Sequence, residues 1–145
     1  MCGIAGYYSK CRASDSRIQQ TLKLMKNRGP DNQGSRMFVT KAGSKSVALL
    51  HSRLSIIDLD PRSNQPFSIG TQTIVFNGEI YNYLELRKGL EKKGIPLRTT
   101  SDTEVLLHYF RIHGEKCVDF FEGMWAFAIY DSGNETLFLS RDRFA

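Results

Sequence analysis

An α+β fold with mainly antiparallel sheet is what this sequence predicts, and three observations predict it. Short β-like runs come in pairs around Gly- and Asn-containing turns. Amphipathic stretches with helical spacing lie between them, each with its own start and stop signals. Neither a G-x-x-x-x-G-K-[ST] loop nor a G-x-G-x-x-G loop, the phosphate cradles of nucleotide-binding α/β units, occurs anywhere.

Cys2 to Tyr8 reads as an apolar strand. Asp15 or Ser16 can cap a helix whose Ile18, Leu22 and Met25 fall at i, i+4 and i+7, and Gly29-Pro30 ends it. Met37 to Thr40 and Ser46 to His51 flank Ala42-Gly43 as a hairpin, and Ser55 to Leu59 is another short β-like run. Thr73 to Phe76 forms a strand expected to break at Asn77-Gly78. A helix from about Tyr83 to Lys93 follows, stopped by Gly94 and Pro96. Ser101-Asp102-Thr103-Glu104 has the form of a capping box, opening an amphipathic helix that runs to about His113 and closes at Gly114. After a short helical piece near Glu115–Phe121, Trp125–Tyr130 and Thr136–Arg141 flank Asp131-Ser132-Gly133-Asn134, a strong hairpin signal. The aromatic run Phe120 to Trp125 reads as core.

The 145 residues are one domain's worth of chain, with ordinary apolar (41%) and charged (24%) fractions. No run approaches a membrane span and no signal segment opens the chain, so no membrane association is expected. Three scattered cysteines (Cys2, Cys11, Cys117) make no disulfide framework and fit a reducing cytoplasm. The net charge of +5 is spread along the chain without nucleic-acid signatures, so no nucleic-acid partner is expected. The final residues, Leu137 to Ala145, read as a strand running into a turn, which suggests a piece of something longer.

Four places carry potential chemistry, each with a plain structural alternative. Cys2 is small enough for removal of Met1, which would leave a thiol beside a free α-amine able to accept its proton; it is equally a residue of an apolar strand. Asn77-Gly78 can aim a side-chain amide and a backbone N–H at one oxygen, or simply make a tight turn. Arg53, alone in the run Leu50 to Asp58, calls for a bound anion or an edge position in solvent. Asp102, at a helix start, is placed either to cap the helix or to receive an ammonium group. His108 and His113 do not share a metal-binding helical spacing and His51 has no nearby partner, so no metal site is expected.

Read together, Met1-Cys2-Gly3-Ile4-Ala5-Gly6, Arg28-Gly29-Pro30-Asp31, Arg53 to Asp58, Phe76-Asn77-Gly78-Glu79-Ile80-Tyr81-Asn82, Ser101 to Glu104, Phe121 to Ile129 and Arg141-Asp142-Arg143-Phe144 resemble, in this order, the class II glutamine amidotransferases. The resemblance is strongest to the glutamine-hydrolysing asparagine synthetases and covers nearly the whole chain. It implies an N-terminal-nucleophile hydrolase fold, a four-layer αββα sandwich of antiparallel sheets, C-terminally truncated here. It implies Cys2 as nucleophile on the glutamine side-chain amide, and Asn77 and Gly78 as the oxyanion hole. Arg53 is implied as the clamp of the α-carboxylate, Asp102 as the receptor of the α-ammonium, and Glu79 as a residue beside the same pocket. Residues 1–145 would be the glutaminase domain, incomplete at its C-terminus, hydrolysing glutamine to glutamate and ammonia. A C-terminal synthetase domain or subunit, absent from this chain, would use ATP and Mg to form an amide on an acceptor carboxylate such as aspartate; no cofactor is expected in this domain itself. A homodimer of the full-length protein is a further expectation. Asn27 stands where this family commonly has His, and Ala145 where Gly is expected. Two other readings remain: a non-catalytic glutamine-binding fragment that keeps Met1, and the glutaminase domain of a phosphosugar amidotransferase.

Overall fold

The computed structural model describes residues 2–144. Met1, whose removal the nucleophile would require, and Ala145, at which truncation was expected, lie outside the described residues.

Strand β1 (Gly3–Ser9) is followed by helix α1 (Asp15–Met25), a 3-10 turn (Lys26–Arg28) and the hairpin β2 (Asn32–Val39) and β3 (Ser46–Arg53). A second hairpin, β4 (Phe67–Ile69) and β5 (Gln72–Ile80), leads to helices α2 (Tyr83–Lys92) and α3 (Asp102–His113). A 3-10 segment (Gly114–Phe120) and the hairpin β6 (Gly123–Asp131) and β7 (Thr136–Arg141) complete the described chain. All pairing is antiparallel, in two sheets ordered β1-β3-β2 and β4-β5-β6-β7.

The side-chain alternation of the strands fixes the layers. Ala48 and Leu50 of β3 face Ile18 and Leu22 of α1, while Val47 and Leu49 face the other way onto Val75, Ala128 and Tyr130 of the second sheet. That sheet turns Ile74, Phe76, Ile80, Phe127 and Ile129 onto Leu106 and Leu107 of α3. The order is therefore α1, sheet, sheet, α2 with α3: the expected four-layer αββα sandwich. Strand β3, central in its sheet and buried on both faces, is buried along all of its length.

Three local expectations change. Ser14, one residue before the expected caps, caps α1 by accepting from Arg17 N–H at 3.4 Å. Asn77-Gly78 makes no turn, because the ladder with β6 runs on through Ile80 and pairs Asn77 with Ala126 and Gly78 with Trp125. Ser55–Leu59 forms no strand: the carbonyls of Ile57, Asp58 and Asp60 all turn onto the Arg53 guanidinium, and Asp58 adopts φ +50°.

Candidate functional site

The C-terminal end of β3 and the start of β1 lie side by side, with Gly3 opposite Ser52, so Cys2 and Arg53 emerge together. The segment Arg28-Gly29-Pro30-Asp31 packs against this end. Arg28 Nε donates to the Cys2 carbonyl at 3.1 Å, and the Asp31 N–H donates to the Arg53 carbonyl at 3.0 Å. A Cβ at Gly29 would sit 2.2 Å from the Ser52 carbonyl carbon, so only glycine permits this approach. Asp31 Oδ2 then accepts the Ser55 N–H at 2.7 Å, and the Leu54 N–H lies 3.4 Å from Cys2 Sγ.

Arg53 is 6% exposed, on the central strand of its sheet, so neither the edge position nor the solvated guanidinium of the simpler reading holds. Nη1 donates to Asp60 O (3.2 Å) and Asn64 Oδ1 (2.6 Å), and Nη2 to Ile57 O (3.4 Å) and Asp58 O. All four Nη protons thus organise the loop 54–64, while Nε–H remains for another acceptor. Asp58 in turn ties this loop to the approach of α3, its Oδ2 accepting the Thr100 N–H at 2.6 Å. Burial alone would raise its pKa; the hydrogen bonds from Thr100 and Asp60 outweigh it and hold the carboxyl down at about 2.

Helix α3 begins with Ser101 as its N-cap, Oγ accepting the Thr103 N–H at 3.1 Å, so Asp102 is free of that task. Glu104 departs from the capping-box pattern. Its buried carboxylate reaches past Ser101 to the Thr99 N–H and hydroxyl, both at 2.7 Å, and to the Arg98 N–H at 3.0 Å. Asp102 Oδ2 accepts the Ile80 N–H at 3.2 Å. Burial, with a smaller contribution from neighbouring Glu79, pushes the Asp102 carboxyl up to about 6 despite these hydrogen bonds.

Strand β5 contributes its open edge. Trp125, opposite Gly78, directs both main-chain groups away from β5, accepting from Asp142 N–H and donating to Asp142 Oδ2, both at 2.9 Å. Gly78 and Trp125 are therefore a non-hydrogen-bonded pair, and the Gly78 N–H points off the free edge of β5. The neighbouring amides on that edge, Phe76 and Ile80, take the side chains of Gln65 (2.6 Å) and Asp102. Gly78 has φ +154°, and a Cβ there would lie 2.2 Å from the Met124 carbonyl oxygen, so a side chain is excluded.

Cys2, Arg53, Gly78, Glu79 and Asp102 line one cleft. Asn77 does not line it; on the face of β5 toward the other sheet, its Oδ1 is buried without a hydrogen-bond partner among the described residues. Met124, expected in the core, is part of the cleft wall and 38% exposed. Gln65 and Thr103, which also line the cleft, carried no signal that singled them out, since isolated polar residues in a loop and a helix start are ordinary. Among the described residues, no group of three or more His, Cys, Asp or Glu side chains could hold a metal ion. No helix among them is long and apolar enough to cross a membrane.

The family model for the glutamine amidotransferase domain matches residues 1–145. The chain belongs to the glutamine amidotransferase domain family. This amidotransferase domain is 39% identical to a glutamine-hydrolysing asparagine synthetase of Bacillus subtilis, over 99% of the chain and 23% of that protein. It is 37% identical to one of Arabidopsis thaliana, over 98% of the chain and 24% of that protein. The domain thus spans about a quarter of the length of these relatives. The solved structure of glutamine phosphoribosylpyrophosphate amidotransferase from B. subtilis superposes with a TM-score of 0.69, at 20% identity, over 95% of the chain and 37% of that structure. That likeness carries the fold, an N-terminal-nucleophile hydrolase sandwich.

Proposed function

We propose that this domain hydrolyses the side-chain amide of glutamine, with Cys2 as nucleophile. The observation that carries the reading is the convergence on one cleft of a thiol, a guanidinium, an unclaimed backbone N–H and a buried carboxylate from four distant segments. With Met1 removed, the Cys2 α-amine takes the thiol proton as Sγ bonds to the amide carbon. The oxyanion that forms is met by the Gly78 N–H and by the side-chain amide of Asn77, whose donors must swing toward the cleft. Collapse breaks the C–N bond, and the proton held by the α-amine leaves with ammonia. Water then attacks the thioester, releasing glutamate and restoring the thiol.

Asp102 receives the substrate ammonium, and Glu79 adds negative charge beside it. The Arg53 Nε–H faces the α-carboxylate, and full bidentate binding requires an Nη donor to exchange a loop oxygen for a substrate oxygen. Within a longer protein, the ammonia passes to a synthetase domain or subunit that forms an amide on an acceptor carboxylate, aspartate by likeness to the named relatives. ATP and Mg belong to that other part. A cytoplasmic location and a dimeric full-length protein complete the proposal.

Glutamate release from glutamine by the purified chain, with an intact mass lacking Met1, is the test. Cys2→Ala is expected to abolish release, and retention of activity would overturn the reading.

A further inference from the structure

We propose that Gln65 is a positioning residue for glutamine hydrolysis, ending the β4–β5 ladder so that the Gly78 N–H stays open and locking that edge to the start of α3. This inference rests on the glutaminase reading above. The register of β4 with β5 pairs Phe67 with Ile74, so its continuation would set Gln65 opposite Phe76. A main-chain carbonyl should accept the Phe76 N–H there. Instead the Gln65 carbonyl turns toward the other sheet, where a Cβ at Gly34 would lie 2.2 Å from it. The side-chain Oε1 takes its place at 2.6 Å from Phe76 N. The ladder is thereby satisfied without being prolonged, and the next amide on the same edge, that of Gly78, meets the cleft.

The other end of the Gln65 amide donates from Nε2 to Thr103 Oγ1 at 3.2 Å. One side chain, 8% exposed, therefore links the residue two before Gly78 to the residue after Asp102. Asp102 itself holds the Ile80 N–H. The two groups that must meet opposite ends of the substrate, an oxyanion donor and an ammonium receptor, are pinned to one strand. Their anchor points on that strand, Gly78 and Ile80, are two residues apart, about 7 Å by strand rise. The Phe76 carbonyl is held as well, at 3.2 Å from His51 Nε2, so the peptide leading into Asn77 is fixed from both sides. An oxyanion donor displaced by 1 Å costs on the order of 10²-fold in rate.

The experiment compares glutamate release by the parental chain with that of Gln65→Met, which keeps volume and removes both hydrogen bonds, and Gln65→Glu, which keeps an acceptor for Phe76 N–H and for the Thr103 hydroxyl. The expected result is a kcat lowered about 10–100-fold in Gln65→Met with KM within about 3-fold. In Gln65→Glu kcat should recover to within about 5-fold of the parent. Thermal melts establish that each variant is folded; if Gln65→Met is not, Gln65→Asn, one methylene too short to reach, takes its place with the same expectation. A removal variant with parental kcat overturns the inference. So does a loss that Gln65→Glu does not rescue, or one confined to KM. A parental chain lacking Met1 that releases no glutamate overturns the glutaminase reading and this inference with it.

Discussion

Two buried groups, Asp102 and His51, pull the pH dependence of stability in opposite directions. Asp102 titrates near 6 in the folded protein against an ordinary 3.8, because burial penalises its charge. The folded state then binds more protons than the unfolded one between pH 4 and 6, so this group's contribution to stability falls as pH rises through that window. His51, completely buried, is lowered from 6.5 to about 4, first by burial and then by the nearby Arg53 charge, against the raising effect of its bond to Phe76 O. The unfolded state binds more protons here, so stability rises between pH 4 and 6.5. Each shift corresponds to roughly 3 kcal/mol. These two contributions largely offset each other across this range, so Asp102→Asn should gain roughly 3 kcal/mol more than the parent from pH 4 to 6.5. Denaturant midpoints at intervals of half a pH unit check this, and a variant that follows the parent would contradict it. The capping-box pattern already pointed to Ser101 as the N-cap, and the structure agrees. For Asp102 the residues alone left capping and ammonium binding both open, and the second was implied by the resemblance.

At the scale of the element, the approach to α3 depends on one acid. Glu104 holds the segment before the helix through Arg98 and Thr99, and that segment carries the Thr100 N–H that anchors Asp58 and, through it, the loop on Arg53. Glu104→Gln turns one acceptor into a donor facing N–H groups, with an expected loss of about 2–4 kcal/mol in denaturant unfolding and a raised KM for glutamine. Unchanged stability would show that the loop holds without it. Helix and hairpin positions could be read from periodicity and turn residues because those signals are local. Asn77-Gly78 misled because the dipeptide that favours a turn is also what a strand needs where Gly78 comes too close to Met124 to carry a side chain. The run Ser55–Leu59 misled because its apolar alternation is overridden by carbonyls converging on a buried cation, a contact across sequence that no local pattern encodes.

For the molecule as a whole, the layer order followed from the family resemblance, and hydrophobic alternation agrees with it strand by strand. What the sequence did not display is an apolar groove between the sheets, where β1 and β7 each end a sheet on the same side. Ile4, Leu137 and Leu139 line it, and Leu139 is 66% exposed. A groove of this kind beside two strand edges binds apolar probes and invites association. The chain should enhance the fluorescence of anilinonaphthalene sulfonate, and Leu139→Glu should remove about half or more of that signal without lowering the melting midpoint; an undiminished signal would place the probe elsewhere. The cleft has a different whole-molecule consequence. Its contributors, from Cys2 to Asp102, are separated by most of the chain and meet only when both sheets have docked. Such long-range contacts form late. Assembly of the cleft thus reports on the docking of both sheets: a nascent or nicked chain that has not brought them together lacks the wall that Cys2 and Asp102 share.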